Sequence, residues 1–459
     1  MTASPASRTD QAIAPRIAVI GAGSTIFMKN IVGDVLTMPA FEGATFALMD
    51  IDETRLEESA LVARKLVAGS GRAARVEATT DRRRALAGAD FVVTAFQVGG
   101  YRPSTVIDFE VPRAHGLRQT IGDTLGVGGI MRALRTVPHL WATAQAMAEL
   151  CPEATLLQYV NPMAINTWAL AERFPRLRQV GLCHSVQNTV AEIAHDLDLP
   201  AHEIRHRVAG VNHVAFFLEL SHEGRDLYPG LREGWRAGRL PKPPFLMPRC
   251  QNRVRYEVMD QLGWFCTESS EHLAEYVPWF IKQGRPDLIE HFAIPLDEYP
   301  ARCEEQLAEW SARAAALRGA DHIAHEKSHE VAAELMHAIL TDTPRRAYGN
   351  LPNRGQVPQL PHGAAVETPC LVDATGIHPT TVTDIPPQLV ALMRTQINVQ
   401  ELVVRALIDE EPEHIHHAAM LDPHTAAELD LRQIRALVGE LLTAHGDMIP
   451  AWARPRRPA

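Results

Sequence analysis

Disulfide pairing, membrane insertion and nucleic-acid binding are each disfavoured by what this sequence has little of. There are six cysteines in 459 residues, at positions 151, 183, 250, 266, 303 and 370, and none forms a C-x-x-C pair. A large chain this thin in cysteine is expected to keep reduced thiols in the cytoplasm and not to rest on a disulfide framework. No stretch approaches the ~20 consecutive apolar residues of a membrane span. Positive charge is not in excess: 45 Lys and Arg stand against 55 Asp and Glu, a formal net charge of −10, which argues against nucleic acid or an anionic membrane as partner. There is no internal repeat and no low-complexity tract. The opening residues, "MTASPASRTDQAIAP", lack the apolar stretch of a secretory signal and read as a disordered lead over residues 1–14.

What is present is globular material, 46% hydrophobic and 22% charged, long enough for two or three packed domains at ~100–200 residues each. From residue 16 short β-rich runs alternate with helical ones. "RIAVIG" (16–21), "ATFALMDID" (44–52), "VEATTD" (76–81), "ADFVVTAF" (89–96), "ATLLQYVNP" (154–162) and "QVGLC" (179–183) read as strands. Helical spacing fills 25–36, the segment after residue 52, 127–150, 164–173 and 186–197. "HRVAGVNHVAFFLEL" (206–220) follows as one or two strands. Such alternation means β-α-β units with right-handed crossovers, so the expected fold is α/β, a Rossmann-type doubly wound parallel sheet over residues 15–205. After about residue 225 longer helices take over (297–319, 386–408, 424–445), with a loop over 349–363 and a β-like "AAVETPCLVDATGIHP". Residues 206–459 are therefore expected to form a second, mainly helical α+β domain that carries metal and substrate.

"VIGAGSTIF" (19–27) closes a strand and opens a helix, where small residues let the backbone approach a pyrophosphate at the helix N-terminus. The match to G-x-G-x-x-G is partial: Gly21 and Gly23 are present, and Ile26 stands at the third position. Asp50 ends the next strand, where a carboxylate suits a ribose diol and repels the extra phosphate of NADP. The competing reading is a tight strand–helix turn with a surface Asp. Gln97, Asn161 and Cys183 end later strands and are expected to face the crevice at the strands' carboxyl ends.

Cys183 and His184 are neighbours in "QVGLCHSVQN" (179–188), and three readings compete for the thiol. It can be a core cysteine. It can be a nucleophile, although adjacent residues on an extended strand point to opposite faces, so His184 is badly placed as its base. It can be a metal ligand with His213 of "GVNHVAF", a pair that suits a divalent ion with open positions for substrate oxygens.

"GAGS" (21–24), "QTIGDTLGVGGIMRALRTVPHLW" (119–141), "YVNPMAINTWA" (159–169), "GLCHSVQ" (181–187), "GVNHVAF" (210–216), "RYEVMDQLGWFCTESSEHLAEYVPWF" (255–280) and "DPHTAAEL" (422–429) together resemble glycoside hydrolase family 4, from about residue 15 to 453. Within it the α-galactosidases are most similar. The resemblance implies a lactate/malate dehydrogenase-like Rossmann fold, NAD and a divalent metal, usually Mn2+, and a soluble homo-oligomer, dimer or tetramer. It implies that Gly21, Gly23, Ser24, Asp50 and Gln97 hold NAD, that Cys183 and His213 ligate the metal, and that Asn161 binds substrate. His184 falls where relatives place the acid that protonates the leaving group. Asp123 matches an acidic residue that sharpens a tyrosine base; Tyr256 is the best match for that tyrosine, with Asp260 the alternative. Arg102 either contacts sugar hydroxyls or forms a surface salt bridge. Asp123 can equally cap the helix after it, Tyr256 can be structural, and "TESSEHLAEYVPW" can be a capping box or part of a sugar pocket.

Most glycosidases use two carboxylates, and the NAD-dependent members of this family are exceptions. The implied chemistry is oxidation of the sugar at C3, loss of the C2 proton, elimination of the aglycone, water addition and re-reduction, acting on an unphosphorylated small-molecule α-galactoside such as melibiose. The alternatives are an α-glucosidase or α-glycosiduronase of the same family, an NAD-dependent hydroxy-acid dehydrogenase, and a non-catalytic NAD-sensing protein.

Overall fold

Six short strands form the parallel core of the sheet in the computed structural model. It describes residues 14–244, 249, 251–320 and 323–455; the expected lead over 1–14, apart from Ala14, and the thiol at Cys250 lie outside the described residues. The six strands are β1 Arg16–Ile20, β2 Thr45–Met49, β3 Arg75–Thr79, β4 Phe91–Thr94, β5 Thr155–Gln158 and β6 Arg178–Gly181, ordered β3-β2-β1-β4-β5-β6. All five pairings are parallel. β1, β4 and β5 carry continuous apolar runs because helices cover both faces. The chain leaves β1 in one direction towards β2 and β3 and returns to β4 on its other side. That reversal opens a crevice beyond the carboxyl ends of β1 and β4. The doubly wound expectation holds.

The second half continues the same sheet. β7 Arg205–Val211, β8 Val214–His222, β9 Arg225–Asp226, β10 Arg345–Pro352, β11 Ala365–Asp373 and β12 Gly376–Pro379 are antiparallel additions. β10 joins β6 at Asn350 opposite Gly181, and β11 joins β7 at Glu367 opposite Gly210. The boundary expected at 205/206 thus falls at the start of β7. "GNLP", expected to open a loop, instead ends β10: the buried Asn350 amide donates to the Gly181 carbonyl at 3.3 Å, which offsets its poor strand preference. The expected helix over 424–445 is two, Pro423–Glu428 and Leu431–His445, because Asp430 forms a capping box with Gln433 that starts the second. A further helix, Glu413–Leu421, lies in the polar "EHIHHAAML" stretch, where Ile415, Ala418 and Ala419 supply a narrow buried face. No helix among the described residues is long and apolar enough to cross a membrane.

Candidate active site at the carboxyl ends of the strands

The turn after β1 has glycine where the fold leaves no room. Gly21 has φ +91°, and a Cβ there would stand 2.4 Å from the Ala95 carbonyl oxygen at the end of β4. Gly23 donates its N–H to Asp50 Oδ2 at 2.8 Å, and Asp50 Oδ1 accepts the Asp52 N–H at 3.0 Å. Ser24 is the N-cap of the helix Thr25–Thr37 and makes no side-chain cap bond, so that helix start has free amides. A glycine turn, an uncapped helix start and a carboxylate at the end of β2 converge on one spot, and the donor set fits a dinucleotide. Gln97 is placed differently from expectation. Its Nε2 donates to Gly100 O and Thr105 Oγ1, at 3.2 and 2.8 Å, and its Oε1 accepts from Tyr299. Its amide thus holds the turn after β4, not the glycine loop.

Two residues, Asn212 and His213, connect β7 to β8, and His213 holds a left-handed φ of 67°. Such strain in a non-glycine residue persists where the surroundings over-determine it. Its Nε2 lies 3.4 Å from Cys183 Sγ and 3.1 Å from Glu268 Oε2. Nδ1–H donates to the Tyr276 hydroxyl at 3.1 Å, the usual orienting bond of a metal-binding histidine. Glu268 arrives because residues 265–267 run beside β8: Phe217 N–H donates to Phe265 O and Thr267 N–H to Ala215 O, both at 2.9 Å. Cys183, His213 and Glu268 offer ligand atoms that all lie within 4.8 Å of one another.

The electrostatics of this trio call for a cation. Burial would lower the His213 pKa, yet Glu268 and Cys183 hold it up, at about 10. Burial would raise the Cys183 thiol, yet His213 keeps it below its ordinary value. Desolvation opposes the charge of the half-buried Glu268, yet His213 and His272 hold its carboxyl low. Asn212, 1% exposed, has neither its side-chain oxygen nor its nitrogen hydrogen-bonded among the described residues. A thiolate, an imidazole and a carboxylate with an orphaned amide alongside fit a divalent ion. Beneath them, burial pushes Glu367 of β11 up to about 8, with the Cys183 charge adding to the effect.

Asp123 is the polar hub next to the trio. Its Oδ2 accepts from Asn161 Nδ2 at 3.2 Å and lies 3.4 Å from Arg132 Nη1, and Thr124 donates to its Oδ1 at 2.7 Å. Burial opposes its charge, but Arg132 and His272 hold the carboxyl below its usual range. The loop carrying it is gripped by Glu275, whose carboxylate accepts the N–H groups of Thr120, Ile121 and Gly122 at 2.8, 3.2 and 2.7 Å. Asp123 is no helix cap: the following helix, Gly126–Leu150, has Leu125 as its N-cap. His272 completes the hub. Its ring centre is 5.1 Å from that of His213, its Nδ1 bonds Ser269 Oγ at 2.7 Å, and burial lowers its pKa to about 4.

The structure separates three expected residues from this cluster. Tyr256 is fully buried between Trp235 and Phe265, and its hydroxyl donates to Asp196 at 2.7 Å. Burial and the Asp196 charge push its pKa far up, the opposite of what a base needs. Asp260 pairs with Arg236 at 2.8 Å. Arg102 forms the surface reading, 3.4 Å from Glu304 with its side chain 67% exposed. His184 does not lie on an extended strand, since β6 ends at Gly181 and His184 is the N-cap of the helix Ser185–Leu197; its Nε2 meets Glu330 at 2.7 Å. Burial would lower its pKa; Glu330 raises it above the ordinary value. Sequence reasoning missed Glu268, His272 and Glu330. The first two sat inside the "TESSEH" stretch already singled out, while nothing in the sequence marks Glu330.

The model of the family 4 glycosyl hydrolases matches residues 16–199, and the model of that family's C-terminal domain matches residues 208–425. An α-galactosidase of Bacillus subtilis (strain 168) is 44% identical over 437 residues, 95% of this chain and 99% of that one. An α-galactosidase of Rhizobium meliloti (strain 1021) is 31% identical over 95% of this chain and 90% of its own. A 6-phospho-α-glucosidase from gut microorganisms, solved in complex with NAD and Mn2+, superimposes with a TM-score of 0.79 at 20% identity, covering 95% of this chain and 99% of that one. With both halves matched in order by the family's models, the chain belongs to family 4 of the glycosyl hydrolases.

Proposed function

We propose that this glycosidase is an α-galactosidase that acts on unphosphorylated α-galactosides such as melibiose and depends on NAD and a divalent metal, Mn2+ first among them. The observation that carries the reading is the Cys183, His213 and Glu268 trio, in a chain that also has the glycine turn at the end of β1 and is 44% identical to an α-galactosidase. Gly21, Gly23, Ser24 and Asp50 would hold NAD; Cys183, His213 and Glu268 would hold the metal, with Asn212 at its side. When bound, NAD supplies a reversible oxidant for sugar C3 and the divalent ion a Lewis acid for the oxygens on C2 and C3, which together acidify the C2 proton.

The protein's own residues then divide the work. Asn161 and Asp123, linked to each other and to Arg132, bind and orient sugar hydroxyls. His272 takes the C2 proton in place of Tyr256. With Nδ1 turned to Ser269 and Glu268, its Nε2 is the basic nitrogen, and burial keeps the ring neutral. His184 gives a proton to the departing O1. Glu275 fixes the Asp123 loop, so the hydroxyl-binding groups are in place before substrate arrives. The five described cysteines are free thiols, which supports a cytoplasmic setting, and a homo-oligomer remains part of the proposal.

The test of the substrate is nitrophenol release from para-nitrophenyl α-galactoside, α-glucoside and α-galacturonide, each with and without NAD and Mn2+. The reading expects turnover on the galactoside with both additives and no accumulation of NADH. Turnover on another glycoside keeps the chemistry and changes the sugar; NADH without nitrophenol points to a hydroxy-acid dehydrogenase.

Two consequences follow from the site's charges. Asp50→Ala removes a charged acceptor worth ~1.5–3 kcal/mol, so the NAD Kd is expected to rise roughly 10–100-fold with metal affinity unchanged, as read by titration calorimetry. Metal loading must displace the proton that His213 holds up to about pH 10. Loading near neutral pH therefore releases a proton, and affinity falls about tenfold per pH unit as the pH drops. Metal titration in weakly buffered protein should acidify the solution; no proton release would contradict His213 as a ligand.

A further inference from the structure

His184 is held by a segment that the sequence left without a role. Residues 323–330 lie across the helix Thr25–Thr37 and are fastened there by Asp34, a residue 1% exposed. Asp34 Oδ1 accepts from His325 Nε2 at 2.7 Å and from the Ser328 N–H at 2.8 Å, and its Oδ2 accepts from the Ser328 hydroxyl. Ser328 Oγ in turn accepts the Glu330 N–H at 3.1 Å. The helix presents Gly33 under the His325 ring, where a Cβ would stand 2.2 Å from Nδ1, so the segment beds down only on glycine. Its far end delivers Glu330, itself 7% exposed, onto His184 Nε2 at 2.7 Å. Beyond, the Tyr159 hydroxyl accepts the Ala332 N–H at 3.2 Å, and the Tyr159 ring centre lies 5.9 Å from that of His184. His184 keeps 38% of its side chain exposed. It lines an open cavity of about 570 Å³ together with Lys29, Asn30, Asn188 and Lys327.

We propose that Glu330, carried by the strap 323–330, is the positioning residue of His184, and that the cavity beside them takes the leaving group. This rests on the α-galactosidase reading. A carboxylate on Nε2–H fixes the ring's orientation and leaves Nδ1 to meet the substrate. In the step assigned to His184 the C1–O1 bond breaks, its electron pair stays on O1, and the proton on Nδ1 neutralises that oxygen. The Nε2 proton stays on the ring, donated to the Glu330 carboxylate, and His184 regains its Nδ1 proton from the water that later adds at C1. Glu330 touches no reacting atom.

The test compares two leaving groups. Melibiose must expel a sugar alkoxide that needs a proton, whereas nitrophenolate leaves unaided. For Glu330→Gln the holoenzyme is expected to lose ~10–100-fold in kcat on melibiose, the usual effect of removing an orienting carboxylate, and less than about threefold on para-nitrophenyl α-galactoside. In D2O the unreacted melibiose should also gain deuterium at C2, since proton removal then outruns departure. Glu330→Asp should recover part of the loss. Asp34→Asn, which loosens the strap without touching His184, should give the same split to a smaller degree, so the test does not hang on one variant folding. Equal losses on both substrates, with no deuterium in recovered melibiose, overturn the proposal. Absence of C2 deuterium from the galactose made by the unaltered enzyme overturns the reading beneath it instead, and the two failures are told apart by that control.

Discussion

Replacing Cys183 by serine is expected to strip the divalent ion and cut turnover by ~10³-fold or more, because a Lewis acid at this point supplies several kcal/mol and each ~1.4 kcal/mol is a decade. Sγ is one of three donors, and the His213 charge that lowers the thiol's pKa also marks where a cation belongs. Serine keeps the size of the side chain, but its hydroxyl does not give up its proton to a metal as a thiol does, so the trio loses one of its two anionic ligands. The glycine turn and Asp50 make no contact with Cys183, so NAD affinity should stay within about twofold, since distant sites are additive to a few tenths of a kcal/mol. Metal content by elemental analysis and NAD binding by calorimetry separate these effects. Full activity with full metal content in Cys183→Ser would remove the thiolate from the ligand set. The same thiolate makes the unaltered enzyme sensitive to oxidants and recoverable by thiol reductants up to the sulfenic stage.

Replacing His272 by asparagine is expected to lower kcat by ~10²–10⁴-fold, the range for removing a positioned general base. Metal and NAD should both still bind, because His272 offers no ligand atom to the trio and lies on the short helix Ser270–Ala274, far in sequence from the glycine turn. The ring is the neutral proton acceptor the cluster holds, with its Nδ1 occupied by Ser269 and its pKa brought down to about 4 by burial. Tyr276, the other candidate on the same stretch, already bonds His213 Nδ1, and burial raises its pKa well above the ordinary value. Tyr256→Phe, by contrast, should leave the chemistry intact and show up only in stability, through the lost bond to the buried Asp196, roughly 1–3 kcal/mol by chemical denaturation. A variant His272→Asn with full turnover would return the base to a tyrosine.

How far the sequence reaches is set by whether a feature is local. The glycine turn, its helix and Asp50 lie on consecutive elements of one β-α-β unit, so spacing alone placed them together, whereas the alternation expected for Cys183 and His184 does not apply, because β6 ends at Gly181. The Cys183–His213 pair is 30 residues apart; the helix Ser185–Leu197 and β7 fill that gap, and His213 sits in the two-residue connection that follows β7. Glu268 and His272 needed more. Whether "TESSEH" caps a helix or lines a pocket depends on residues 265–267 running beside β8, a pairing of only a bridge at Phe216 and Cys266. No periodicity records a contact that short. Tyr256 failed for a related reason: its helix, Arg253–Leu262, shows its tyrosine to Trp235 and Phe265, and a helical wheel cannot tell which neighbour will cover a buried face. Glu330 lay beyond reach altogether, because its partner is 146 residues away and the strap that carries it has no regular structure.

The account's central claim is that glycoside cleavage here runs through removal of the C2 proton by the site built on Asp123, His213 and His272. Hydrolysis of para-nitrophenyl α-galactoside in D2O, with NAD and Mn2+ present and the galactose recovered and read by NMR, tests it most directly. The predicted result is deuterium at C2 of the product, nitrophenol release that needs both additives, and no net NADH. Rapid hydrolysis giving galactose with ordinary hydrogen at C2 would contradict it, whatever the rate.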